Sequence, residues 1–172
     1  MSHKSINLQD ILIQNIPEKP TRIWDHSPQK VFHDYRVRGY VFDNGKAEEI
    51  GHITLSLCQY STKKDDNDDF WFERKRKVLV PRVVAVFQGT EPNYRGQGVN
   101  AELLRLINEL VKARFGKPIS SDIGFCENPL GKKYACVKGF TERPAMRVWE
   151  KLEARRLAYS RPYKGKPRWI MY

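Results

Sequence analysis

The sequence has no long apolar run. The longest stretch, Val83 to Phe87, falls far short of the roughly 18 residues that span a bilayer, and Met1-Ser2-His3-Lys4 leads into no apolar signal core. A cytoplasmic protein with no membrane partner is the expectation. Cysteine is scarce: Cys58, Cys126 and Cys136 are odd in number and widely spaced, which fits neither a disulfide framework nor a paired-cysteine zinc site. Histidine is confined to His3, His26, His33 and His52, so no Cys/His pair for thiol catalysis stands close in sequence. No Gly/Ser linker or internal repeat divides the 172 residues, and an aromatic content of 12% excludes a wholly disordered chain. One domain over residues 1–172 is expected, with 1–34 as a helical or irregular lead-in and 126–172 as its basic part.

Charge is unevenly spread. From Cys126 to Tyr172 there are 12 Lys/Arg against 4 Asp/Glu, whereas 19 against 16 precede them. A field concentrated in this way suits a polyanionic partner, nucleic acid or a phosphate-bearing cofactor, although solubility alone also accounts for it.

Leu8, Ile11, Leu12, Asn15 and Ile16 fall at helical spacing before Pro17 and Pro20, which predicts a short N-terminal helix. Alternation through Tyr35, Val37, Gly39 and Val41, then Asp43-Asn44-Gly45, then Ile53, Leu55 and Leu57, predicts an antiparallel hairpin. Ser61 to Asp69 reads as a solvated loop; its carboxylates lack the glycine and terminal glutamate of a calcium loop, and no metal is expected. A strand through Val78 to Val80 and a central one through Arg82 to Thr90 follow. Ala101, Leu103, Leu104, Ile107, Leu110 and Val111 predict a helix ending at Gly116. Pro118 to Asp122 suits a short strand and Ile123 to Phe140 irregular chain. Thr141 caps a second helix carrying Ala145, Val148, Trp149 and Leu152, and Trp169 to Tyr172 suggests a last strand.

Between the central strand and the first helix stands Glu91-Pro92-Asn93-Tyr94-Arg95-Gly96-Gln97-Gly98. A strand that feeds a glycine turn and then a helix leaves unpaired N–H groups at the positive end of the helix dipole, a site suited to phosphate. Gly96-Gln97-Gly98-Val99-Asn100-Ala101 also matches the dinucleotide pattern, with Asp122 placed for a ribose. Antiparallel strands before the loop and a single remaining βαβ crossover argue against that reading, and a turn that binds nothing is the structural alternative.

Thr90 to Leu104 resembles the acyl-CoA signature of the GNAT superfamily of N-acyltransferases, with Arg95-Gly96-Gln97-Gly98-Val99 followed by a helix containing Leu103-Leu104. Asn100 stands where that family usually has Gly or Ala. The late Trp149-Glu150-Lys151-Leu152 is similar to that of small bacteriophage-encoded members. The resemblance implies a three-layer α+β or α/β fold with a mixed, mostly antiparallel central sheet, flanking helices and one βαβ crossover. It also implies acetyl-CoA as cosubstrate and an amine as acceptor, joined by direct attack through a tetrahedral intermediate.

By that resemblance the main chain of Arg95, Gly96, Gln97, Gly98, Val99 and Asn100 cradles the pyrophosphate, and backbone at Gln88 and Thr90 pairs with the pantetheine arm. The chemistry needs a base for the ammonium and an acid for the thiolate. Asp122 is the leading base, Ser121 a polar orienter and Glu91 a further candidate. The family's usual tyrosine acid is replaced by Trp149, whose indole cannot supply that proton and suits the core. From a different class, a nucleic-acid-binding protein with the same fold is suggested by the basic tail interleaved with Tyr134, Tyr159, Tyr163 and Trp169. A hybrid, acylation of nucleic acid or of a protein bound to it, joins the two.

Overall fold

The computed structural model describes residues 4–27, 30–60, 83–121, 142–163 and 166–172. Its frame is a long hairpin of β3 (Lys30–Asp43) and β4 (Lys46–Tyr60). Asn44 and Gly45, at φ 50° and 77°, make the two-residue turn that suits the right-handed twist of strands. Tyr35, Val37 and Val41 on β3 and Ile53, Leu55 and Leu57 on β4 are buried, as the alternation requires.

β5 (Val83–Thr90) runs antiparallel to β4, and α1 (Val99–Phe115) then returns the chain to β6 (Ile119–Ser121), which pairs parallel with β5. After α2 (Glu142–Ala154) comes a second hairpin, β7 (Ala158–Tyr163) with β8 (Lys166–Met171). Counting β1 (Leu12–Ile13), the sheet has the order β1-β3-β4-β5-β6-β8-β7, and β2 (Arg22–Ser27) also pairs with β3. The molecule is therefore a mixed α+β protein with a mostly antiparallel open sheet and two α-helices among the described residues. α1 packs on the sheet and against α2.

The helix expected over Leu8 to Ile16 does not form. Leu8–Asp10 make one 3-10 turn capped by Asn7, and Leu12 and Ile13 are extended, opposite Tyr40 and Gly39 on β3. A nine-residue helix is marginal alone, and the open edge of β3 supplies backbone partners that a helix would forgo, including Arg38 O for the Gln14 N–H. The expected strand at Val78 to Val80, the loop at Ser61 to Asp69, the segment Ile123 to Phe140 and the Thr141 cap lie outside the described residues.

Leu103, Leu104, Ile107 and Val111 of α1 are fully buried with Val37, Ile53 and Leu55 beneath them. Glycine permits this close approach at two strand positions. A Cβ at Gly39 would strike Leu103, and one at Gly51 would strike the carbonyl oxygen of Gly89. Midway along α1, Asn108 accepts the Ile119 N–H (2.9 Å) and donates to the Tyr172 carbonyl (2.9 Å). Glu153 of α2 accepts from Trp169 Nε1 (2.8 Å), Ser160 Oγ (2.7 Å) and Ser160 N (3.0 Å), and these bonds hold its carboxyl below the usual range, Ser160 contributing most.

Candidate functional site

The site begins at the parallel pair of the sheet. Among the described residues β5 and β6 pair at Val83–Ile119, Val84–Ser120 and Ala85–Ser121. Beyond them β5 continues to Thr90, and among the described residues nothing pairs with it on that side. On its other side β5 stays on β4, with a bulge: Thr54 faces Phe87 and Leu55 faces Ala85, so Val86 is the extra residue. The Glu91 N–H donates to Ile50 O (2.9 Å). Antiparallel alternation then turns the backbone of Gly89 and Glu91 toward β4 and that of Gln88 and Thr90 away from it. Arg95 reaches the same edge, its Nε donating to Thr90 O at 3.2 Å.

The glycine loop follows the end of β5. Pro92–Tyr94 form a 3-10 turn, Gly96 and Gly98 take left-handed φ of 81° and 88°, and Gly98 caps α1. Glycine is the low-energy residue at both of these positions. The Arg95 N–H bonds to Pro92 O and the Glu102 N–H to Gly98 O. Between them, the amides of Gly96, Gln97, Gly98, Val99, Asn100 and Ala101 meet no acceptor among the described residues. Six amides at a helix start form an electropositive rim suited to phosphate.

A segment from the N-terminal part braces this loop. Gln97 donates through Nε2 to Lys4 O (2.6 Å) and accepts the Ile6 N–H at Oε1 (3.1 Å), while the Lys4 N–H reaches Asn93 O (3.2 Å). The Lys4 ammonium lies 2.6 Å from Glu48 and 3.1 Å from Asp43. The bond to Glu48 raises the Lys4 pKa, and the same bond, with a second from Tyr94, lowers that of Glu48. Lys4, Ser5, Arg95, Gly96 and Gln97 line a cleft of about 490 Å³ over the loop.

The residues expected to bind cofactor thus come together: Gln88 and Thr90 on the open edge, and Arg95 to Asn100 in one turn at its end. Gln97 is the exception in kind, because its side chain serves the Lys4–Ile6 segment and leaves only its backbone N–H for a ligand. The catalytic candidates are not assembled in the same way. Ser121 is buried, and its hydroxyl accepts the Trp169 N–H at 3.0 Å, which makes it a strut between β6 and β8. Glu91 is exposed beside Pro92. Asp122 lies outside the described residues. Trp149 is 2% exposed in the core.

One cluster escaped the sequence reading. His52 on β4 stands opposite Gly89, with its ring so close that a Cβ there would meet Cε1 at 2.7 Å and Nε2 at 3.2 Å. Arg36 Nη2 lies 3.1 Å from His52 Nδ1; since guanidinium only donates, Nδ1 accepts and the neutral ring carries its proton on Nε2. Burial lowers the His52 pKa, Arg36 and Arg38 lower it further, and Glu49 and Glu91 oppose them. A lone histidine on an alternating strand carries no motif, but Gly89 inside a strand is the signal that something packs closely there. No family model, curated protein or solved structure matches the chain.

Proposed function

We propose that the protein is an acyl-CoA-dependent N-acyltransferase of the GNAT type, transferring an acetyl group from acetyl-CoA to an amine. The observation that carries this reading is the glycine turn between β5 and α1, where six successive amides at the helix start meet no acceptor among the described residues. The strand order supports it: antiparallel strands precede the single parallel pair, the glycine helix makes the crossover, and a hairpin inserts its last strand beside β6.

The residues present fit such a cosubstrate. The amides of Gly96 to Ala101 would hold a pyrophosphate, with Arg95 adding charge. The open-edge backbone of Gln88 and Thr90 would pair with an amide-bearing arm as though it were another strand. That arm would direct the thioester toward the Val86 bulge. The amine nitrogen attacks the thioester carbonyl, a C–N bond forms, the C–S bond breaks, and the thiolate leaves to be protonated. Asp122 is the proposed base for the ammonium and Glu91 the alternative. Ser121 would act through the wall it builds with Trp169, and Trp149 has no part in proton transfer.

Calorimetry with acetyl-CoA tests the reading. Binding by the wild type and its loss in Gly98→Asp, which sets a carboxylate and a strained left-handed residue in the rim, is the expected result. Absence of binding by the wild type would refute it.

A second reading, nucleic-acid binding by the basic C-terminal part, has its own observation. Arg155 and Arg156 are both exposed, and Arg156 sits at φ 57°, where glycine is the low-energy residue. A gel shift that is strong at low salt and falls steeply as salt rises is its signature.

A further inference from the structure

We infer that Gln97 is a positioning residue that makes the amide rim conditional on the docked Lys4–Ile6 segment, so that docking of the segment and occupancy of the rim by an anionic ligand strengthen each other. This rests on the transferase reading above and adds to it a coupling between two distant stretches of the chain.

The glycine turn has little to hold its shape from within. Gly96 and Gly98 flank Gln97, both at left-handed φ and both without a side chain to restrict them. The Gln97 side chain supplies the restraint. It donates to the Lys4 carbonyl and accepts the Ile6 N–H, the pair of bonds that a residue of a neighbouring strand would make on either side of Ser5. Glutamine suits this place because its amide both donates and accepts, whereas lysine could only donate and glutamate only accept.

Three further contacts hold the same segment against the loop. The Lys4 N–H reaches Asn93 O, and Leu8 lies beside Gly98, where a Cβ would meet its Cδ1 at 3.7 Å. The Lys4 ammonium meets Glu48, which also accepts from Tyr94 of the loop. A partly exposed ion pair contributes little alone, so the two amide bonds are the ones whose loss should free the segment.

A ligand shifts such an equilibrium only through contacts that differ between the docked and undocked states. Two differ here. Lys4 and Ser5 line the cleft together with Arg95, Gly96 and Gln97, so a ligand that fills it meets the segment only when the segment is docked. The amides of the turn also keep their relative directions only while Gln97 is held, and an anion needs several of them at once.

The test measures both sides of the coupling. CoA and inorganic pyrophosphate are titrated calorimetrically into the wild type, into Gln97→Met, which keeps the length of the side chain and removes both bonds, and into Ile6→Pro, which removes the N–H from the other partner. Exchange of the Ile6 amide is followed in the wild type, free and saturated with each ligand. Both variants should bind both ligands about tenfold more weakly, and each ligand should slow Ile6 exchange in the wild type by a similar factor, because coupling between two sites is reciprocal. Wild-type affinity in either variant would overturn the coupling and leave the transferase reading intact. Weaker binding with Ile6 exchange indifferent to ligand would show that Gln97 shapes the loop alone, and would overturn the coupling too. A wild type that binds pyrophosphate but not CoA would refute the transferase reading and leave the coupling to be decided by the pyrophosphate data; binding of neither would overturn both.

Discussion

The two halves of the sheet are held together in different ways. β3, β4 and β5 are joined by long antiparallel ladders, and the backbone does most of the work. Among the described residues β6 is three residues long and meets β8 at one position, Ser120 opposite Ile170. Side chains make up the difference there: Asn108 holds the Ile119 N–H and the Tyr172 carbonyl, Ser121 the Trp169 N–H, and Glu153 the Trp169 indole and Ser160. The parallel pair of β5 and β6 is the seam between the half held by its ladders and the half held by its side chains.

The comparison breaks most visibly at Asn108. Asn108→Ala leaves the buried Ile119 N–H and the partly buried Tyr172 carbonyl unpaired and should cost about 2 kcal/mol in urea unfolding. Thr21→Val, which removes the side-chain bond to Asp34 O beside the long hairpin, should cost about 0.5 kcal/mol. Equal costs would show that the two halves do not differ in the way described.

A smaller effect of opposite sign is expected at the end of α2. Arg156 N bonds to Glu153 O and Leu157 N to Leu152 O, the paired bonds of a helix end whose left-handed residue is usually glycine. Arg156→Gly should stabilise the protein by about 0.5 kcal/mol, the relief of strain exceeding the added freedom of the unfolded chain. A loss of stability would show that the Arg156 side chain supports the pinned half.

The gentlest effect is titration in the ladder half. His52 has a folded pKa below its ordinary 6.5, so as pH falls beneath 6.5 the unfolded chain takes up a proton that the folded one refuses. Stability conferred by neutral His52 is complete above 6.5 and is lost as pH falls toward the folded value. A protonated ring would face Arg36 and Arg38 on β3, with Glu49 on β4 and Glu91 beyond β5 offsetting them in part. Melting temperatures from pH 7.5 to 5 should fall less for His52→Gln than for the wild type, and parallel curves would exclude His52 as the cause.

Much of the frame was legible because local chemistry and tertiary demand agree. Asn44-Gly45 is a turn on propensity alone, Val83 to Phe87 reads as a central strand, and Gly96 to Asn100 reads as a turn that opens a helix. Disagreement came where a short pattern meets a long-range partner. Leu8 to Ile16 has the period of a helix, yet two of its residues complete the edge of β3. Within the candidate site, the loop and the edge residues could be read from order and glycine content. The brace from Lys4 to Gln97 could not, since a backbone-to-amide bond leaves no composition signal.

The brace also bears on the order of events during synthesis. The Ile6 N–H waits for a partner 91 residues later in the chain, as does the Lys4 carbonyl, 93 residues from its own. Nothing local rewards closing so long a loop, so these bonds follow the formation of the hairpin and α1. On the ribosome the Lys4–Ile6 segment thus emerges well before α1 and settles after it, and the glycine loop acquires its final shape only after the rest of the sheet's ladder half has formed.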